Sequence, residues 1–181
     1  MAFKATKGQG SFRIEVEPIA LRNLLSTLNA LPKETQSSVR DAAQPLSKRL
    51  AGQLMMFGGS SPTPQTKLVL LSMLTPRDRL IRVDIGGSKK VGRQYGGEAS
   101  KSGKGKKVRQ NAASAGELLW GSEYGSHPGT DQAGRKYTNR FKAGRSATGY
   151  WINPAVDYYT PIVAKEYIEI VERIIKESKL S

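Results

Sequence analysis

Residues 89–111, KKVGRQYGGEASKSGKGKKVRQN, cannot be packed inside a protein: eight Lys or Arg and a single Glu are spread over glycines and serines with one Tyr. Charged side chains of this kind are almost never buried unpaired. Whatever core the chain builds must come from the two flanks, and the run must leave that core and return to it. At 181 residues the flanks suffice for one ordinary domain, 1–181, without covalent staples.

Both flanks carry regular apolar patterning. Residues 12–17, FRIEVE, alternate apolar and charged, the period of a half-buried strand, and Pro18 ends them. Over 18–31, Ile19, Leu21, Leu24, Leu25, Leu28 and Leu31 fall at helical spacing, with Pro18 tolerated in the first turn because its missing N–H would have no partner there. Pro32 kinks or restarts the helix. A second helix is expected over 33–57, through Val39, Ala42, Ala43, Leu46, Leu50 and Leu54, bent at Pro45 and closed by Gly58 and Gly59 as a C-cap signal.

SSPTPQT then reads as a loop, and 67–86 as a hairpin around a TPRDR turn, although KLVLLSML alone also suits a short helix. The basic segment forms a loop arm over 88–115. GELLWGSEYGS resumes an apolar pattern read as a strand over 117–124, so the arm bridges two strands of one sheet. Residues 126–149 are polar and Gly-punctuated and receive no regular structure, which in a compact domain marks a functional or disordered loop. The C-terminal helix is expected over 154–178, with Asn153 as N-cap and Pro154 at the first helical position. Val163, Tyr167, Ile170, Val171, Ile174 and Ile175 make its apolar face, and Glu169–Arg173 and Glu172–Lys176 pair four apart on its wet side. The fold class is therefore α+β: an antiparallel sheet flanked by a long, Pro-kinked N-terminal helix and a C-terminal amphipathic helix, with a long basic hairpin loop.

Charge narrows the function. The chain holds 29 Lys or Arg against 15 Asp or Glu, a net +14. The excess is concentrated in two segments: Lys89, Lys90, Arg93, Lys101, Lys104, Lys106, Lys107 and Arg109 in the arm, and Arg135, Lys136, Arg140, Lys142 and Arg145 in the second loop. Such clusters attract nucleic acid, acidic protein surfaces or lipid headgroups through long-range fields. A phosphate-cradling P-loop is excluded by spacing, because five residues rather than four separate Gly97 from the Gly103-Lys104 pair and no apolar strand leads in. The lone histidine, His127, sits in a turn composition without a strained nucleophile elbow, so it reads as a solvent-exposed turn residue rather than a catalytic base. With no cysteine and one histidine, metal sites have few ligands to draw on. No stretch approaches the roughly 18 to 20 apolar residues of a membrane span, and no apolar leader is evident. The expectation is a soluble, cytosolically made protein with no catalytic, cofactor-binding or metal-binding residues and no membrane partner. Tyr95, Tyr137 and Phe141 interleave with the cations as possible stacking groups, so nonspecific binding of DNA is the alternative function.

The order of elements carries a further signal. ALRNLLSTLNALPKETQSSVRDAAQPLSKRLA is a leucine-rich helix broken by Leu-Pro-Lys and followed by a small-residue helix with Ala-Ala-x-Pro-Leu. WGSEYGS, residues 120–126, is similar to an aromatic-x-x-Glu-aromatic-Gly-Thr/Ser strand end, and INPAV, residues 152–156, to an Arg-Pro-Ala helix start. With the short N-terminal strand and the hairpin, this order resembles the neck or tail-completion (head-to-tail connector) proteins of long-tailed, siphovirus-type bacteriophages. The resemblance spans nearly the whole chain. It implies a structural virion protein that forms a homo-oligomeric ring, six- or twelve-fold, in the phage neck or tail. It would join the portal-connector complex to the tail tube, as a completion or tail-terminator type of component, after assembly in the host cytoplasm. Neighbouring connector and tail-tube proteins are the implied partners, with passing contact to packaged double-stranded DNA. In that setting the basic arm is an assembly arm, meeting mostly acidic protein surfaces, and Trp120, Tyr124 and Trp151 are core or inter-subunit packing aromatics.

Overall fold

The computed structural model describes residues 4–6, 10–16, 32–93, 112–130, 134, 136–137 and 139–180. The helix expected over 18–31 lies outside them, as do Lys101, Lys104, Lys106, Lys107, Arg109 and Arg135. The architecture is α+β, with antiparallel strands flanked by a long helix toward the N-terminus and another at the C-terminus.

Strands β1 (Lys4–Thr6), β2 (Ser11–Val16) and β3 (Ile81–Gly86) form an antiparallel sheet in the order β1-β2-β3, with Ile14 opposite Val83. The alternation seen in the sequence sets its two faces. Phe12, Ile14, Val16, Ile81, Val83 and Ile85 are buried on one, and on the other Arg13, Glu15, Arg82 and Asp84 hold one another in ion pairs.

Helix α1 (Lys33–Gly59) covers the buried face with Val39, Ala43, Leu46, Leu50 and Leu54. It runs unbroken through Pro45, which is exposed, so the carbonyl that loses its ladder partner lies on the wet side of the helix. Gly58 and Gly59 do not adopt the left-handed conformation expected of a glycine C-cap; the helix is followed by Ser60 in the right-handed region. Gly58 instead permits close approach, since a β-carbon there would stand 3.0 Å from Leu70 Cδ1. Ser47 Oγ ties helix to sheet, accepting the Arg82 N–H at 3.0 Å.

The expected hairpin over 67–86 is not formed. Its first half is a short helix, α2 (Thr66–Leu70), and β3 pairs with β2, leaving only a single bridge between Leu74 and Asp84. Apolar runs of this length cannot distinguish strand from helix, and β3's partner comes from the distant N-terminal segment. Strands β4 (Lys90–Arg93) and β5 (Ala112–Ser114) pair antiparallel with each other.

The expected strand over 117–124 is a helix, α3 (Ala115–Tyr124). Ser114 and Glu117 close a capping box: the Ser114 hydroxyl accepts the Glu117 N–H at 3.3 Å, and the Glu117 carboxylate accepts the Ser114 N–H at 2.6 Å. Within 126–149, β6 (Gly129–Thr130) and β7 (Lys136–Tyr137) form a small antiparallel ladder where no regular structure was expected.

Helix α4 (Ile152–Leu180) packs antiparallel along α1, with Phe57 against Tyr158 near one end and Arg49 bonded to Tyr159 and to both oxygens of Glu166 farther along. Val156, Val163, Tyr167 and Val171 join the core. The Tyr167 hydroxyl donates to the Arg79 carbonyl, and burial pushes its phenol well above the usual range. No helix among the described residues is long and apolar enough to cross a membrane.

Candidate functional site

A buried polar junction lies where α3 ends and α4 begins. A helix start leaves backbone N–H groups without intrahelical partners. Here a distant carboxylate takes them. Glu123, 1% exposed, accepts the Trp151 N–H at 3.1 Å and the Ile152 N–H at 2.8 Å on Oε2, and the Asn153 N–H at 2.9 Å on Oε1. Pro154 has no N–H to satisfy, and Ala155 donates to the Trp151 carbonyl. Asn153 is therefore not the N-cap expected of it: α4 starts at Ile152, two residues before the expected start, and the Asn153 amide donates to the Tyr124 hydroxyl at 3.0 Å. Burial raises the Glu123 pKa against the opposing pull of these backbone N–H groups, which together with the positive end of α4 favour its charge.

Residues 139–150 are pinned onto this junction. Asn139 Oδ1 accepts from the Ser126 hydroxyl at 2.7 Å and the Phe141 N–H at 3.1 Å, while its amide donates to the Ala143 carbonyl at 2.6 Å. Gln65 donates to the Arg140 carbonyl at 2.7 Å, Ser146 N–H to the Tyr124 carbonyl at 2.9 Å, and the Tyr150 hydroxyl to the Gly144 carbonyl at 2.9 Å. Lys142 sits at φ 57°, a left-handed conformation uncommon for a lysine. Gly121 admits the Phe141 ring against α3: a β-carbon there would lie 2.1 Å from the ring.

The expected site residues divide accordingly. Arg140, Lys142 and Arg145 are exposed on this pinned loop, and among the described residues none has an acidic partner. Lys136 is exposed on β7. Lys89 and Lys90 are exposed at the β4 end, where Lys89 donates to the Leu71 carbonyl, and Arg93 closes β4. The three aromatics do not form one cluster. Trp151 is fully buried, whereas Trp120 remains 44% exposed, stacked on Tyr124 at 5.8 Å and edge-on to Phe12 at 5.7 Å. His127 is exposed, and the described residues contain no cluster of three or more metal-ligating side chains.

Sequence reasoning missed two apolar surfaces. On the helix pair, Met55, Met56, Tyr158 and Ile162 are exposed, Met56 to 66% and Tyr158 to 63%. At the sheet edge Leu71 and Leu74 are exposed beside an open cleft of about 180 Å³ lined by Phe12, Leu74 and Ile85 among others. Helical phase held the clue to the first, since Tyr158 and Ile162, four apart, fall outside the stripe marked by Val156, Val163 and Tyr167. Glu123 was also missed as a structural residue, although it is the acid of WGSEYGS. Comparison of the chain with family models, with curated proteins and with solved structures returns no match.

Proposed function

We propose that this chain is a structural subunit of a phage head-tail junction, forming a homo-oligomeric ring that joins the portal-connector complex to the tail tube. The observation that carries the reading is Glu123. WGSEYGS and the INPAV helix start, two of the motifs behind the resemblance, are bonded to each other across 29 and 30 residues through this one side chain. Their common occurrence thereby gains a physical reason: the acid of the first motif caps the helix opened by the second.

Exposed apolar surfaces support the same reading. In a ring each subunit meets its neighbours through two different faces. This chain offers one on the α1–α4 pair, around Met56 and Tyr158, and another at the sheet edge, around Leu71 and Leu74. Large apolar side chains left in water by an otherwise well-packed core suit burial against protein. A bend of the long helix at Pro45 and a basic hairpin arm reaching an adjoining ring complete the proposal. In this role the chain performs no reaction, has its place in the virion neck or tail, and is assembled in the host cytoplasm.

Antibody raised against the chain should label the junction between head and tail in electron micrographs of the virion. Sedimentation of the purified protein should show a closed oligomer that the M56E/Y158E double variant fails to form. Label on another part of the particle, or none, overturns the reading.

A further inference from the structure

We infer that the loop 139–149 is a preformed cationic ledge for the phosphate backbone of duplex DNA. This deepens the junction reading and rests on it only for the source of the duplex, the packaged genome.

Three observations lead there. First, the ledge is already ordered: Asn139, Gln65, Ser146 and Tyr150 fix its backbone to α2, α3 and the start of α4. Arg140, Lys142 and Arg145 are thus presented without the cost of folding a loop on binding.

Second, the ledge lacks what a protein partner needs. A protein interface is centred on large apolar or aromatic anchors. Here Ala143 is buried, Phe141 is half-buried against Gly121, and the Tyr150 hydroxyl is engaged by Gly144. The exposed residues of 140–148 are Arg140, Lys142, Gly144, Arg145, Ala147 and Thr148. Cations among small and polar residues match the strongly positive, polar character of surfaces that contact phosphate and sugar. Among the described residues the large exposed apolar side chains lie on the helix pair, at the sheet edge, and at Trp120 of α3, whose ring stands against Phe12 and Tyr124.

Third, another copy of the chain offers no dense acidic face among its described residues to receive the ledge. Glu15, Asp41, Asp78, Asp84 and Glu166 are already paired with arginines, and Glu117 and Glu123 are occupied as caps, while the exposed Glu34, Asp157, Glu169 and Glu172 are dispersed along α1 and α4, those of α4 among Lys165, Arg173 and Lys176. The partner must bring its own dense negative charge, and duplex DNA carries a phosphate charge about every 1.7 Å of its axis.

The test uses the full chain and a short labelled duplex of random sequence, titrated over a range of salt. Replacing Arg140, Lys142 and Arg145 together by Ala removes up to three phosphate contacts, so the slope of log K against log salt should become shallower by about 2.7. Affinity near physiological salt should fall on the order of 100-fold. A charge-keeping variant, Arg140→Lys with Arg145→Lys, should retain the slope, which separates lost charge from a lost fold. A control triple, K48A/K67A/K165A, removes three exposed cations elsewhere and should leave the slope near that of the parent.

An unchanged slope in the ledge triple overturns the inference. So does a ledge triple that loses binding to polyglutamate while keeping DNA, because that result assigns the ledge to an acidic protein. Sedimentation of the same variants keeps the two readings apart. Rings with an unchanged DNA slope remove the ledge alone; a shallower slope in a chain that never forms rings removes the junction reading and leaves the ledge.

Discussion

Gly149 lies against the Glu123 carboxylate so closely that a β-carbon on it would stand 1.9 Å from Oε1, and it holds φ at +79°. Both facts demand glycine: the conformation is strained for any L side chain, and the space is already filled by the oxygen that caps α4. Gly149→Ala should therefore lose about 2–4 kcal/mol in urea unfolding, combining left-handed strain with displacement of a buried acceptor. Gly87 makes the comparison clean. Its φ is +76° but nothing lies within 4 Å of its would-be β-carbon, so Gly87→Ala should cost only the strain, about 1–2 kcal/mol. Equal losses at the two sites would show that the Glu123 contact contributes nothing.

The Glu123 cap also has a pH signature. Burial raises the pKa above its unfolded value of 4.5, so the folded chain binds this proton more tightly than the unfolded chain does. The stability linked to this group is complete below the unfolded value and is lost as pH rises through the folded one. Glu123→Gln, which keeps one acceptor but puts an amide NH2 among N–H donors, should cost about 1–3 kcal/mol. Its deficit relative to the parent should shrink between about pH 4 and pH 7. A deficit that grows with pH would mean that the three N–H bonds outweigh burial.

Glu117, six residues earlier on the same helix, should behave in the opposite sense. The Ser114 N–H bonded to its carboxylate lowers its pKa, so the stability it contributes is present above 4.5 and is lost as pH falls through the lowered value. Its partner in the capping box gives the sharper measurement. Ser114→Ala removes the acceptor of the Glu117 N–H and should destabilise the chain by about 0.5–2 kcal/mol. No loss in thermal or urea unfolding would mean that α3 is held by its packing alone.

That capping box explains part of what the sequence did and did not disclose. Ser-Ala-Gly-Glu at 114–117 is a local helix-start signal, and it decides the structure of GELLWGSEYGS, whose apolar pattern by itself allowed a strand. The faces of β2, α1 and α4 were legible because each buries one side, which imprints a period on the residues. The pairing of β3 with β2 and the capping of α4 by Glu123 were not. Each joins residues far apart in the chain, and no local spacing encodes such a contact. The cations of the second loop were visible in composition, but the pinning of Arg140, Lys142 and Arg145 on one ledge depends on Asn139, Gln65 and Tyr150, ordinary polar residues with no motif.

Gly121 offers a way to loosen that ledge without touching its charge. The Phe141 ring occupies the space above Gly121 on α3, and a β-carbon there would meet ring atoms at 2.1 to 2.4 Å. Because the far end of a side chain can swing away, Gly121→Ala should expel the ring rather than unfold the protein, and alanine's better helix propensity offsets part of the loss. The Phe141 N–H bond to Asn139 and the Gln65 bond to the Arg140 carbonyl are then strained or broken. Amide hydrogen exchange should quicken across 139–145 while the core of α1 stays protected. If order matters to the ledge as much as charge, this variant should weaken duplex binding several-fold with an unchanged salt slope, since every cation remains to meet its phosphate. Undiminished affinity alongside faster exchange would show that the three cations act as loose charges, and that the fixed geometry of the loop serves the fold alone.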